Sequence, residues 1–335
     1  MSTAIRPEPA VTSRRLRPSI TLYDRTTLLA VLILVTGVVM SLISPYFLDV
    51  DNLLSMTQFG AVIGLLALGQ TLVILGGGGG IDISVGSMLS LCGVTMGLAV
   101  QAGVAVWPAA LVALVTGIVL GAFNGVLITV IGIPPLIATL GTLYLFGSAA
   151  QVLAGGTQIS GFDQNGFSFL GRGTLLGIPV QVLLILLPVY AIAAWLMRRS
   201  LFGRRVYEAG NNDRALVLVG ASPAKVRFLL YCTSGLLAGL GAVVTNSWLL
   251  VARTGAGAGL ELQAITIAVL GGTYIFGGKG KVSGTLLAVL LIVILTSGLQ
   301  LAGVDPSWQS GILGTVLILS VVLNNVFAHR SGQRT

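Results

Sequence analysis

The chain has 335 residues, 55% of them hydrophobic and only 8% charged, with a net charge of +8 and a mean hydropathy of +0.99. Soluble globular domains carry about 25% charged residues, so this composition excludes a water-facing surface. Continuous apolar runs of about 20 residues exclude a β-barrel, whose strands alternate, and the positive charges between such runs speak for membrane orientation rather than nucleic acid.

Residues 1–26 read as a polar cytoplasmic tail with Arg6, Arg14, Arg15, Arg17 and Arg25. The apolar run that follows has the length of a full span, so the leader is not a cleavable signal peptide. One transmembrane domain, 27–328, holds ten predicted spans: 27–47, 54–75, 84–102, 108–130, 135–154, 179–198, 228–250, 262–276, 283–302 and 309–328. Residues 329–335 form a second cytoplasmic tail. The fold class expected is therefore an all-α polytopic membrane protein. The eighth span is short and bounded by glycines, the mark of a broken or re-entrant helix.

Orientation follows from the basic residues. With the N-terminus inside, all of the 18 Lys/Arg except Arg172 and Arg253 fall on the cytoplasmic side. Both termini are then cytoplasmic, the loop 155–178 faces outward, and the basic loop 199–227 faces inward. The inner loop suits either a protein partner or anionic membrane lipid, and charge alone favours lipid. Spans two to five and seven to ten start on opposite sides, each group with a glycine-rich interruption near its second helix. Such a pattern suggests two inverted repeats, the construction of many transporters.

The interruption GGGGGIDISVGSM, residues 76–88, is the most informative stretch. Its glycines permit positive φ and a tight reversal. Asp82 and Ser84 are N-cap candidates for the third span. Asp82, Ser84 and Ser87 also suit a polar pathway, because an ionisable residue at membrane depth is a functional candidate. Glu261 and Gln263 open the eighth span in GLELQAIT. Glu261 either favours a helix N-terminus or, with Gln263, faces the passage. Asn124 lies mid-span, where amides usually bond a neighbouring helix; contact with a sugar is the other reading. Gly235, Gly239 and Gly241 make a small-residue packing face.

Several chemistries find no equipment. Cys92 and Cys232 sit in apolar runs as packing residues. The single histidine, His329, is near the C-terminus, so neither a metal site nor a catalytic triad can be assembled. In GGTYIFGGKGKVSG, Thr273 stands where a phosphate-binding loop needs its first glycine, and Gly280 follows Lys279 where Ser or Thr is required. The chain has no nucleotide site of its own and no cofactor. Any ATP is bound by a separate polypeptide. A membrane enzyme lacks acid–base groups, and a channel lacks a filter. An ion-coupled secondary transporter is the alternative, fitting the repeats and Asp82.

Four features carry a family resemblance: GGIDISVGSM (79–88), the segment 203–242 beginning GRRVYEAGNNDRALVLVGASPAKV, the segment 251–285 beginning VARTGAGAGLELQAIT, and the ten-span plan. Together they resemble the membrane permease subunits of bacterial ribose/xylose-type ABC importers. The resemblance implies an inner-membrane subunit forming the pathway for a monosaccharide or similar polyol. It implies a cytoplasmic ABC ATPase, a periplasmic sugar-binding protein, and a second permease copy or paralogue as partners. It places ATPase coupling on the inner loop with Arg204, Glu208, Gly210, Asn211, Asn212 and Asp213. One departure stands out: Ala215, Leu216 and Val217 follow Arg214 where the family commonly has an Ala-Ala-Arg-like run.

Overall fold

The structure, a computed structural model, describes residues 25–330. All of the predicted tails except 25–26 and 329–330 lie outside the described residues, and those end residues belong to helices. In chain order the elements are α1 (Arg25–Ile43), α2 (Val50–Leu75), α3 (Val85–Gln101), α4 (Val106–Thr129), α5 (Pro135–Leu153), β1 (Ile159–Ser160), α6 (Ser168–Arg172), β2 (Thr174–Leu175) and β3 (Ile178–Pro179). A π-helical turn, Val182–Leu186, then leads into α7 (Leu187–Arg199). Next come α8 (Leu201–Asn211), α9 (Asp213–Leu218), α10 (Pro223–Leu249), β4 (Val251–Ala252), α11 (Leu260–Leu270), α12 (Val282–Leu301) and α13 (Pro306–Arg330).

Each predicted span falls on a helix, and the protein is an all-α polytopic membrane protein. Seven of the helical stretches are long and apolar enough to cross a membrane, the turn and α7 counting as one. The eighth predicted span is the short helix that its flanking glycines suggested, but it ends before 276. Its helix, α11, has 11 residues and rises about 16 Å, roughly half of a hydrocarbon core about 30 Å thick. It stops at Gly271 because Gly272 takes φ +92°, a conformation open to glycine, and Thr273 N–H bonds back to Ala268 O at 3.1 Å. Helix α3 is also short, with 17 residues.

The long central helices α2 and α10 lie against each other. They run antiparallel: Gly76 at the end of α2 meets Leu230 and Arg227 near the start of α10, while Gly69 meets Ser234 and Gly241 approaches Val62. Around this pair the contacts exchange. The half-helix α3 packs on α10, and α11 packs on α2. Likewise α4 packs on α10 and α12 on α2, while α5 borders α3 and α13 borders α11. Two oppositely directed units, α2–α5 and α10–α13, therefore interlock by lending their second and third helices to the other unit's first.

This arrangement explains the burial pattern. Apolar side chains cover α2 on all sides, and its apolar window is 89% buried, as expected of a helix hydrophobic all round. The equivalent window of α1 is only 11% buried; Leu34, Val38 and Leu42 remain exposed, suited to lipid. Helix–helix approach in lipid depends on small residues. Gly117 and Gly121 of α4 rest on the α10 backbone at Gly235 and Tyr231. Gly235 and Gly239 thus pack as expected.

The long loops are structured. β1 pairs antiparallel with β4, tying 155–178 to the start of the second interruption. The other long loop, 199–227, contains two helices rather than irregular chain. Ser200 Oγ accepts from Gly203 N–H to start α8 (3.0 Å), and Asn212 Oδ1 accepts from Arg214 N–H to start α9 (3.0 Å), the ordinary N-cap solution.

Candidate functional site

The interruption after α2 is a folded hairpin of glycines. Gly77, Gly78 and Gly79 hold φ of +68°, +64° and +71°, three successive left-handed residues that only glycine adopts without strain. Gly80 N–H closes the turn on Gly77 O at 3.1 Å. The chain then folds back beside its own helix. Oriented so that both ends of its amide are satisfied, Gln70 donates to Asp82 O (3.0 Å) and accepts from Asp82 N–H (3.2 Å).

Asp82 anchors a buried polar network. Its Oδ1 accepts from Ser84 N–H at 3.0 Å and Ser84 Oγ at 2.7 Å. Its Oδ2 accepts from Ser234 Oγ of α10 at 3.3 Å. Ser84 Oγ in turn accepts from Asn124 Nδ2 of α4 at 2.8 Å. Thr139 of α5 donates to Ile81 O at 3.2 Å. Gln70, Asp82, Ser84 and Asn124 are all fully buried. An ionised carboxylate at this depth needs such donors, since unpaired burial is costly. The network thus fastens α2, α4, α5 and α10 around the start of α3.

The expected cap takes a different form. Ser84 occupies the N-cap position of α3 but its side chain caps nothing. Asp82 closes an Asx-type turn on Ser84 instead, so the carboxylate holds the turn and α3 begins from it. Asn124 bonds across helices, as mid-membrane amides do, and its Oδ1 has no hydrogen-bond partner.

One helical turn beyond Ser84, the surface opens. Ser87 and Ser90 of α3, Tyr144, Ser148 and Gln151 of α5, and Thr254 and Glu261 line a cleft of about 360 Å³. Its polar groups are five hydroxyls, the Gln151 amide and the Glu261 carboxylate, set among apolar surface that includes Leu143 and Ala258. Glu261 Oε1 also accepts from Gly259 N–H at 3.1 Å, steadying the first turn of α11. Behind the cleft the two half-helices meet through backbone: Gly86 of α3 and Gly257 before α11 touch so closely that a Cβ on either would strike the other's carbonyl. Gly257 N–H donates to Ser90 Oγ at 3.1 Å.

The predicted pathway residues therefore divide. Ser87 and Glu261 line the cleft. Asp82, Ser84 and Asn124 lie behind it in the network. Gln263 is buried on α11 and does not reach the cleft.

At the basic end of the molecule, α8 packs against the end of α2, and α9 packs against α8 and α10. Arg204, Glu208, Asn211, Asn212 and Asp213 are exposed, beside the exposed apolar Val217, Leu218 and Val219. Gly210 is different: it is wedged between Leu75 O and the Gly278 backbone, so its place is in packing. Gly278 N–H donates to Leu75 O at 3.0 Å. Tyr207 Oη donates to Gly280 O at 3.0 Å; burial pushes its pKa up, partly opposed by Arg198, and the phenol stays a donor. Two glycine turns, 76–80 and 277–280, close on each other and on Gly210 of α8 here.

Sequence reasoning missed Gln70, Ser234 and Arg227. Gln70 is an amide deep in an apolar span, well past Gln58 near its start, a visible signal. Ser234 carries none, because serine is common in such helices. Arg227 was counted only as one more basic residue of the loop.

The comparisons agree with this architecture. The family described as branched-chain amino acid transport system / permease component matches residues 52–321. The chain belongs to this family. Within the family, the autoinducer 2 import system permease protein LsrD of Photorhabdus laumondii is 37% identical, over 90% of this chain and 91% of its own. The ribose import permease protein RbsC of Bacillus subtilis is 38% identical, over 86% of this chain and 88% of its own. LsrD of Escherichia coli is 37% identical over 92% of this chain. No solved structure shows a significant match. The chain is thus a multi-pass permease subunit of a solute import system, and the resemblance read from its motifs holds.

Proposed function

We propose that this permease forms half of the translocation pathway of an ATP-driven importer for a monosaccharide or similar polyol. The observation that carries the proposal is the cleft at the meeting of α3, α5 and the start of α11. Its five hydroxyls and the Gln151 amide, beside apolar wall, match a neutral polyhydroxylated solute, which needs directional hydrogen bonds more than fixed charge. Relatives named for ribose and autoinducer 2 import support this class of cargo.

The basic end with α8 and α9 lies in the cytoplasm, together with both termini, in a bacterial inner membrane. A separate ABC ATPase docks there and binds the ATP. A periplasmic sugar-binding protein docks on the opposite end, beside the β1–β4 pair. A second permease copy or paralogue completes the pathway by closing the open side of the cleft. Nucleotide binding closes the ATPase, which shifts α8 and α9. The glycine turns then let the half-helices swing while the long helices keep their backbone bonds in lipid. The ion-coupled alternative gains little: the donors around Asp82 fasten the helix break, and no cluster of three acidic, His or Cys residues occurs among the described residues.

The test is uptake of labelled ribose into proteoliposomes holding the permease, its ATPase and its binding protein. Uptake that needs ATP and all three proteins supports the reading. Uptake driven by a sodium or proton gradient with the permease alone overturns it.

A further inference from the structure

We infer that Arg227 is a coupling clasp that joins the α8–α9 unit to the helix break leading to Asp82; the inference rests on the importer reading for what the clasp transmits. Arg227 sits in the second turn of α10, yet its guanidinium serves three other segments. Nη1 and Nη2 grip the Asp213 carboxylate at 2.9 and 2.7 Å. Nε donates to O of Gly76, the C-cap of α2, at 3.1 Å. Nη2 also reaches Ala209 O of α8 at 3.4 Å. The start of α9, the end of α8 and the end of α2 thus meet on one planar cation.

The local chain is shaped to receive that cation. Gly78, at φ +64°, lies flat against the guanidinium, and a Cβ there would strike it. The fork of arginine suits simultaneous carboxylate and carbonyl acceptance; the point charge of lysine cannot reproduce it.

The clasp is asymmetric in exposure. The Asp213 side chain is 46% exposed and the Arg227 side chain 18%. A half-exposed ion pair contributes little on its own, so it can break and re-form when a partner presses on α9. Its Gly76 contact, by contrast, lies at the root of the glycine hairpin. Six residues on, Asp82 holds α3 through Ser84. Displacement of Asp213 therefore pulls on Arg227, Arg227 on Gly76, and the hairpin on the base of α3. Arg227 acts as a positioning residue and touches no cargo.

The test uses the full chain in nanodiscs and reads amide hydrogen exchange across residues 76–84, with 251–259 as the internal control. Asp213→Asn is expected to speed exchange at 76–84 about fivefold and to leave 251–259 unchanged. Arg227→Gln is expected to do more, and Arg227→Lys to fall between. Asp213→Asn leaves the Gly76 and Ala209 bonds in place, so it decides the matter if Arg227→Gln fails to fold. Unchanged exchange at 76–84, or equal acceleration at 251–259, overturns the clasp. In proteoliposomes with the ATPase and binding protein, Asp213→Asn should lower uptake per ATP hydrolysed; an unchanged ratio overturns its role in coupling. A wild-type chain without ATP-driven uptake would sink the importer reading instead, and the exchange measurement still judges the clasp.

Discussion

The two helix breaks occupy equivalent places in the two halves, yet they are fastened by different chemistry. The break after α2 is held by side chains: Gln70, Ser84 and Ser234 converge on Asp82, and Arg227 clasps its root. The break after α10 is held by backbone. Leu250 turns the chain at φ +59°, β4 pairs with β1, and Gly257 rests on Gly86. The first break is tied to α8 and α9, the second to the loop 155–178. Interlocked halves thus present one break to each end of the molecule, and the cleft lies where the two half-helices meet.

If that contrast is right, its largest consequence is at Asp82. Asp82→Ala leaves Ser84 N–H, Ser84 Oγ and Ser234 Oγ without their acceptor, at a cost of about 3 kcal/mol. Thermal unfolding in detergent should show it, and a stability within error of wild type would mean the network is not what holds the first break. For the second break the expected loss is smaller and purely steric. Gly257→Ala drives a methyl into the Gly86 backbone and should cost about 2 kcal/mol. Gly255→Ala, two residues away in open space, should stay within about 0.5 kcal/mol. Equal effects at the two glycines would remove the backbone contact from the account.

The smallest stability effects belong to the cleft. Ser87→Ala and Glu261→Gln should each change stability by less than about 0.5 kcal/mol, because glutamine keeps an acceptor for Gly259 N–H and Ser87 bonds only Ser84 O one turn back. Each should nonetheless reduce uptake, about tenfold if one hydrogen bond to cargo is lost. Transport assays across cargo concentrations, run beside the unfolding measurement, separate the two roles. A variant that unfolds early and transports at its folded fraction's normal rate would move that residue from the cleft to the scaffold.

How much of this was legible in the sequence differs from element to element. The apolar runs placed every long helix, because about 20 apolar residues have one stable solution in lipid. The glycine run at 76–80 announced a break, and the structure places one there. Boundaries in 262–276 failed at Leu270: hydropathy continues through Tyr274 and Ile275, but Gly271 and Gly272 end the helix. The basic loop 199–227 hid α8 and α9, since such short helices rely on the caps at Ser200 and Asn212 and on docking, α8 against α2 and α9 against α8 and α10. Within the candidate site, Asp82, Ser84 and Ser87 drew notice as polar residues at a break. Which of them faces the cleft was not readable.

Composition, run length and the glycine run by themselves determined that this is a multi-pass helical membrane protein with a break after its second span and charge asymmetry between its ends. These are local properties: each depends on a residue and its near neighbours in the chain. Only the tertiary structure decided that Ser87 and Glu261 share a cleft, that Asp82 faces Ser234, and that Arg227 joins Asp213 to Gly76. Ser234 is 152 residues from Asp82, and Arg227 is 151 from Gly76. Contacts at such separations arise from the antiparallel packing of α2 and α10, and one sequence records the helices without recording which faces they share.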